Sequence, residues 1–290
     1  MRIGWNGSVI RAEEAVISVY DHGFLYGIGL FETFRTYGGV PFLLDRHLER
    51  LAEGCRMLGI RYTVEPDGFR SWLSAVMAAN GLEEAYVRLT VTAGQADLGL
   101  PLHDYEEPGA LLMVKVLPPV DERLYREGKE LALLETMRNT PEGAVRFKSL
   151  HYMNNVLAKR ELRLSGAAPN AEGLMLTKEG WLAEGIVSNV FFVHDNMIHT
   201  PSIETGILPG ITRGRVMELA AAAGMPVREG LYRFEQLKQA QEIWVTNSVQ
   251  ELVPITTLRA ISGKRAAVGS GQAGPVFREL LDSYRAETAH

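Results

Sequence analysis

Val145-Arg-Phe-Lys-Ser-Leu-His-Tyr-Met-Asn-Asn-Val-Leu-Ala-Lys-Arg-Glu161 is the stretch on which the reading of this chain turns. Lys148 stands between the apolar Phe147 and Leu150, just ahead of an amphipathic helix. Seven lysines face twenty-three arginines in the whole chain, so its positive charge is mostly arginine. Arginine keeps its proton. A lysine desolvated by apolar neighbours and set beside another cation, here Arg146, becomes an amine nucleophile or base. Taken alone, a lysine at a helix start is a solvated side chain; the residues that follow along the chain change that reading.

Composition narrows the classes. A length of 290 residues allows one large domain or two ordinary ones, and 46% hydrophobic residues suffice for a full core. The net charge of −5, with basic side chains scattered, excludes the electrostatic footprint of a nucleic-acid binder or an anionic-membrane binder. One cysteine permits no internal disulfide and no cysteine-built metal site. Cys55 falls in the stripe Leu44, Leu48, Leu51, Cys55, Leu58 and reads as helix core. The seven histidines show no metal-ligand spacing, so no metal is expected. No apolar run approaches the ~18 residues of a membrane span, and no leader pattern opens the chain. The expected location is the cytoplasm.

Along the chain, Asn6-Gly7 predicts a hairpin between strands within residues 3–10. Ala15 to Tyr20 reads as a further apolar strand, and Phe31 to Tyr37 as another. Asp45 is expected to cap the helix that carries the Cys55 stripe and ends at Gly59, its polar face holding Arg46, His47, Glu49, Arg50 and Arg56. A second helix runs from Pro66 to Ala79, and Val87, Leu89 and Val91 alternate as a half-buried strand. Ala110 to Leu117 is a central strand closed by Pro118-Pro119. That break divides the chain into a smaller N-terminal α/β domain, 1–117, and a larger C-terminal α/β domain, 118–290, carrying Lys148. Beyond it, successive hairpins flank the turns Lys178-Glu-Gly180 and Asp195-Asn196. A helix starts at Pro209-Gly210-Ile211-Thr212 and stops at Gly224, and the small residues from Ala266 to Gly274 form a loop before a last helix near Pro275. The pattern predicts an α+β fold with mixed sheets in both lobes.

Several residues suit the chemistry of a bound anion. Pro209-Gly210-Ile211-Thr212 at a helix start offers first-turn N–H groups and the dipole, Asn247-Ser248 after a strand offers further donors, and Arg50 offers charge. Glu184, in Leu-Ala-Glu-Gly-Ile-Val-Ser-Asn, is either a turn carboxylate in water or a buried one that needs a cation, for which a protonated ring nitrogen would serve.

The ordered set Tyr-Gly-x-Gly-x-Phe-Glu-Thr-x-Arg (26–35), His-x-x-Arg-Leu (47–51), Lys148 followed by Asn154-Asn155, Glu184-Gly-x-x-Ser-Asn-Val-Phe, Thr200-Pro, Leu208-Pro-Gly-Ile-Thr-Arg and Glu242…Thr-Asn-Ser resembles the fold-type IV pyridoxal-phosphate enzymes, or class IV aminotransferases. The resemblance spans nearly the whole chain. It implies two α/β lobes of the D-amino-acid aminotransferase-like architecture, a cofactor cleft between them, and a homodimer. It further implies that Lys148 is joined covalently to pyridoxal 5′-phosphate and that Glu184 pairs with the pyridine nitrogen. Arg50, Ile211, Thr212, Asn247 and Ser248 would hold the phosphate. Tyr152 matches a tyrosine near the ring 3-hydroxyl, although it stands one residue closer to the lysine than in branched-chain aminotransferases. Tyr26 and Phe31 would line the substrate side. Arg88 is the candidate for a substrate carboxylate, against the plainer reading of a solvent-facing strand arginine.

Within that family, Leu25-Tyr-Gly-x-Gly-Leu-Phe-Glu-Thr-Phe-Arg-Thr-Tyr37, residues 138–146 and the Lys148 stretch are most similar to the 4-amino-4-deoxychorismate lyase branch. Ala93-Gly94-Gln95-Ala96 lacks the arginine and histidine with which D-amino-acid aminotransferases trap a carboxylate. Ser149-Leu150 stands where branched-chain aminotransferases carry two glycines. The resemblance thus implies a small-molecule lyase that makes 4-aminobenzoate and pyruvate for folate synthesis. A branched-chain or D-amino-acid transaminase is the alternative, and a catalytically silent binding protein on the same scaffold is the third reading.

Overall fold

The computed structural model describes residues 1–119 and 121–289. By its internal contacts the chain separates into two compact units. The first comprises Met1–Pro118 with Phe147–His151, and the second Pro119–Arg146 with Tyr152–Ala289. Lys148, expected in the C-terminal domain, therefore packs with the first unit, while the chain on either side of the Phe147–His151 stretch belongs to the second.

The first unit holds β1 (Arg2–Trp5), β2 (Ser8–Arg11), α1 (His22–Tyr26), β3 (Gly29–Tyr37), β4 (Val40–Pro41), α2 (Leu44–Met57), α3 (Pro66–Ala79), β5 (Tyr86–Thr92) and β6 (Gly109–Lys115). Its strands form one sheet in the order β2-β1-β6-β5-β3-β4. Every strand pairing among the described residues of this sheet is antiparallel, so the expected mixed sheet is corrected here. Alternation along β3 and β5 gives one face to Leu30, Phe34, Val87, Leu89 and Val91, and these pack with Leu48, Leu51 and Cys55 of α2 and Phe69, Leu73 and Val76 of α3. Pro at its first turn opens α3, where the missing N–H costs nothing.

Ala15 to Tyr20 is not a strand. Asp21 N donates to Ser18 O, and Tyr20 N to Ser18 Oγ, so the chain turns there and leaves Val16 and Val19 exposed. Nor does Asp45 cap α2. Leu43 occupies the cap in the left-handed region (φ +53°), and Asp45 sits in the first turn, where its carboxylate meets Arg70 at 2.9 Å. His47, expected on the polar face, is buried. Gly29 is required by close approach. A Cβ there would lie 2.6 Å from Val91 O and 2.7 Å from Leu150 Cδ1, because the Lys148 segment runs against the start of β3. Phe31 N donates to Lys148 O at 2.9 Å and Leu150 N to Gly29 O at 3.0 Å.

The second unit holds α4 (Arg123–Glu127), β7 (Lys129–Leu133), α5 (Met153–Leu164), β8 (Glu172–Leu176), β9 (Leu182–Gly185), β10 (Asn189–His194), β11 (Met197–Pro201), α6 (Ile211–Ala222), β12 (Val227–Gly230), α7 (Phe234–Lys238), β13 (Glu242–Asn247), β14 (Glu251–Arg259), β15 (Arg265–Ala267) and α8 (Pro275–Ala286). The sheet runs β12-β11-β10-β13-β14-β7-β8-β9, with β15 pairing β14. It is mixed, with parallel pairs β11–β12, β14–β7 and β7–β8. The start of the expected 266–274 loop is thus a short strand, since Ala266 and Ala267 pair with Leu258 and Thr257. The hairpin at Asp195-Asn196 places both residues in the left-handed region, as a two-residue loop demands. No helix among the described residues is long and apolar enough to cross a membrane.

A buried carboxylate seats the last helix. Gly274 caps α8 without a side-chain bond of its own, and Glu242, from β13, accepts from Val276 N at 3.1 Å and Phe277 N at 2.9 Å. Negative charge at a helix start is favoured by the dipole and by the unsatisfied first-turn N–H groups. Replacing Glu242 by Ala is expected to cost roughly 1–3 kcal/mol. A urea midpoint within error of wild type would show that α8 does not depend on it.

Candidate active site

In the first unit, Phe31 lies on the sheet face opposite α2 and α3, paired with Thr90 and flanked by Arg88. Two cations rest on its ring: Arg88 Cζ is 3.7 Å from the centroid and Lys148 Nζ 4.6 Å. Cations are attracted to the negative face of an aromatic ring, more so where water is excluded. Arg88 is thus held against Phe31, unlike a strand arginine extended into solvent. Tyr26, at the end of α1, has its hydroxyl accepting from Gly99 N at 3.0 Å, and its carbonyl lies 2.9 Å from His151 Nε2.

Arg50 does not reach out from α2 as an isolated side chain. Its Nε and Nη2 donate to the two oxygens of Glu32 at 2.8 and 2.7 Å, and His47 Nδ1 lies 2.6 Å from Glu32 Oε2. Glu32 is 1% exposed. Burial alone would lift its carboxyl, but Arg50 and His47 outweigh burial and hold it at about 2. A carboxylate only accepts, so His47 Nδ1 carries the proton of that bond. His47 itself is pushed down by burial, against the pull of Glu32. The arrangement fixes the planar fork of Arg50, as bidentate pairing does.

In the second unit, Glu184 is the penultimate residue of β9 and is 4% exposed. Its Oε1 accepts from Arg138 Nε at 2.8 Å and lies 4.0 Å from Arg146 Nε. Its Oε2 accepts from Leu208 N at 3.0 Å and Asn189 Nδ2 at 3.2 Å. Burial raises the carboxyl, and Arg138 is the main opposing influence. A carboxylate with raised proton affinity, fixed by four neighbours, suits a partner that brings an N–H of its own. Arg138 is held in turn by Asn154 Oδ1 at 2.9 Å. Arg146, read from sequence as a companion of Lys148, donates to Gly206 O and Asn139 O. Burial and the nearby Arg138 bring it down to about 10, still cationic at neutral pH.

Gly210 begins α6 without a side-chain cap, and a Cβ there would lie 2.1 Å from Asn189 Oδ1. Helix α6 is thereby seated against the same Asn189 that holds Glu184. Thr212 Oγ1 lies 3.3 Å from Ser248 Oγ, so the helix start and the turn after β13 present two hydroxyls together. Asn247 is turned inward: its Oδ1 accepts from Val249 N and Gln250 N. Tyr152 occupies the cap position of α5 and is 36% exposed. The structure thus brings together Lys148, Phe31 and Arg88 in one unit, and Ile211, Thr212 and Ser248 in the other.

Glu32, His47, Arg138 and Asn189 received no role from the sequence. The signal for Glu32 was available: it shares a face with Leu30 and Phe34, so a buried carboxylate needing a cation was implied, and His47 and Arg50 lie three apart on one helix face.

The chain matches the family model for amino-transferase class IV over residues 29–258. It is 45% identical over 259 residues to the aminodeoxychorismate lyase of Bacillus subtilis, covering 89% of this chain and 86% of that one. It is 29% identical to the D-alanine aminotransferase of Bacillus licheniformis, across 100% of this chain and 99% of the other. Among solved structures it resembles the branched-chain amino acid aminotransferase of T.th. complexed with N-(5′-phosphopyridoxyl)-L-glutamate. There the TM-score is 0.85 at 27% identity, covering 99% of this chain and 93% of that chain.

The Glu32 cluster makes stability depend on acid. Its folded carboxyl sits below the ordinary 4.5, so its contribution is full above 4.5 and is lost as pH falls towards about 2. The stability difference between wild type and Glu32→Gln is expected to shrink across that window by on the order of 3 kcal/mol. Urea midpoints at stepped pH would check it; a constant difference would mean that Glu32 titrates normally.

Proposed function

Because the chain belongs to the class IV aminotransferase family, we propose that it is a pyridoxal 5′-phosphate-dependent 4-amino-4-deoxychorismate lyase, releasing pyruvate and 4-aminobenzoate for folate biosynthesis. The observation that carries the reading is the likeness to the Bacillus subtilis lyase over most of both chains. The donor set fits the cofactor. The start of α6 with Ser248 suits a phosphate, and a buried carboxyl of raised proton affinity suits a ring N–H.

In this reading Lys148 holds the cofactor aldehyde and Glu184 the pyridine nitrogen. Arg50, the Ile211 and Thr212 N–H groups, Asn247 and Ser248 serve the phosphate, and Tyr152 the ring hydroxyl. Arg138 and Asn189 keep Glu184 aimed, and Glu32 does the same for Arg50. When bound, the cofactor supplies an electrophilic carbon for the substrate amine and a conjugated ring that takes up electron density from the neighbouring carbon. Lys148, freed as an amine, removes the substrate proton from C4 and returns a proton to the departing enolpyruvyl group, which leaves with the electrons of its carbon–oxygen bond. The enolpyruvate becomes pyruvate and the ring becomes aromatic, so atoms balance without water or a second amino acceptor. Arg88, and the ring of Phe31 beneath it, orient a substrate carboxylate, and Tyr26 is assigned to the substrate side.

We also place the protein in the cytoplasm as a homodimer. Support for the dimer is an apolar surface on the first unit, where Ala96 N bonds Tyr20 O and brings the 16–20 turn beside a loop with Leu100 86% and Leu102 91% exposed. Sedimentation of the purified protein should give twice the chain mass; a monomer at micromolar concentration would remove this part of the proposal.

Purified, cofactor-loaded protein is expected to release pyruvate and 4-aminobenzoate in equal amounts from 4-amino-4-deoxychorismate with no keto acid added. Borohydride should fix the cofactor on the Lys148 peptide, and Lys148→Ala should lose at least roughly 10²-fold in rate. Turnover that requires 2-oxoglutarate would replace the lyase with a transaminase. A colourless protein with no adduct would leave only a silent scaffold.

A further inference from the structure

Strands β13 and β14 are joined by the three residues Ser248-Val249-Gln250, with Asn247 and Glu251 opposite each other in register. Asn247 Oδ1 accepts from Val249 N at 3.0 Å and Gln250 N at 2.8 Å, which fixes the first half of the turn. The turn closes through Glu251, whose φ is +61°. Three-residue hairpin loops require a left-handed residue, for which glycine is favoured because a Cβ crowds the backbone there. This chain has a glutamate in that place, and it is 4% exposed.

The side chain of Glu251 supplies what glycine cannot. Its carboxylate accepts from Arg285 Nε, of α8, at 2.8 Å. Arg285 lies over the ring of Tyr125, of α4, with Cζ 4.1 Å from the centroid. Tyr125 OH reaches Gln250 O at 3.4 Å, and Lys129 Nζ, of β7, donates to Gln250 Oε1 at 2.9 Å. Side chains from three separate elements thus hold one short turn, and the hydroxyl at its head lies 3.3 Å from Thr212 Oγ1 at the start of α6. A backbone conformation disfavoured locally and fixed by its surroundings marks a place kept for position.

We propose that Glu251 and Arg285 are positioning residues for phosphate recognition: their ion pair locks the turn so that Ser248 stays against the start of α6, and a phosphate monoester meets donors already in place. This rests on the reading that Ser248 and α6 hold the cofactor phosphate. Preorganised donors bind more tightly because no ordering is left to be done on binding. Neither residue is expected to touch the cofactor.

The test compares two ligands that differ only in the phosphate. Full-length protein stripped of cofactor is titrated with pyridoxal phosphate and with pyridoxal, following absorbance, for wild type, Ser248→Ala, Glu251→Gly, Glu251→Gln, Arg285→Lys and Arg285→Met. Glu251→Gly and Arg285→Met are expected to weaken pyridoxal phosphate about tenfold and leave pyridoxal unchanged. Glu251→Gly should also keep or raise the melting temperature of the stripped protein, since glycine accepts the left-handed backbone. Arg285→Lys, which retains the charge, should recover part of the loss.

Equal weakening of both ligands would make the pair a general fold contact and overturn the proposal, as would unchanged affinity for pyridoxal phosphate. Should Arg285→Met fail to fold, the two Glu251 variants decide by the same comparison. If Ser248→Ala leaves the preference for the phosphorylated ligand intact, the phosphate lies elsewhere and the underlying reading fails. If Ser248→Ala erodes that preference and the Glu251 and Arg285 variants do not, the positioning role alone is wrong.

Discussion

A carboxylate taken out of water must find cations or N–H donors nearby, and this constraint organises much of the molecule. Glu32 is met by Arg50 and His47, Glu184 by Arg138, Glu251 by Arg285 and Glu130 by Arg265. Glu242 is met by two helix-start N–H groups. Each pairing joins residues far apart in sequence, so each fixes one element against another. Removing the cation from such a pair would strand a buried carboxylate, which is far costlier than the net worth of the pair. The arginine-rich composition follows from this use. A guanidinium stays charged on burial and presents a planar fork, where a lysine would give up its proton. The same bias leaves few lysines, and that scarcity is what draws attention to Lys148.

The pairs also divide the labour of the candidate site. Groups that would meet a ligand, such as Arg50, Glu184 and Ser248, are each held by a neighbour that would not: Glu32, Arg138 and, through its pair with Arg285, Glu251. Their orientation is set before any ligand arrives, which is where preorganisation gains affinity and rate. Gly210 and Gly29 serve the same end by omission, since a Cβ at either would push apart surfaces that must touch.

The sequence was most legible where local rules decide. Asn6-Gly7 and Asp195-Asn196 gave their hairpins, and the spacing of Phe69, Trp72, Leu73, Val76 and Met77 gave α3 with its ends. It was least legible where a neighbour decides. Val16, Ile17 and Val19 have strand composition, yet a turn at Ser18–Asp21 leaves them without a sheet to join. Nothing in the alternation of a strand states whether its partner runs parallel, so the antiparallel pairing of the first sheet is not written in its strands. The candidate site followed the same division. Lys148, Glu184 and Ser248 are candidates that motif letters alone can name. Their supports are visible only once the chain is folded, since Arg138 stands 46 residues from Glu184 and Arg285 stands 34 from Glu251.

The distinction between lyase and transaminase lies in a few side chains on a shared frame. A transaminase must bind an amino donor and a keto acceptor in turn, so its carboxylate-binding groups serve two substrates. An elimination driven by aromatisation needs only one substrate held in one pose, with a single base beside the proton to be moved. The face of the first sheet opposite α2 and α3 fits the simpler demand, with Lys148 and Arg88 on one ring, Phe31, and no arginine or histidine at 93–96. Holding the amine and the guanidinium against the same aromatic ring constrains their separation, because Phe31 is itself 3% exposed and anchored by its backbone to Lys148. Changing the size of that ring would move both groups at once, so residue 31 couples the position of the amine to that of the guanidinium.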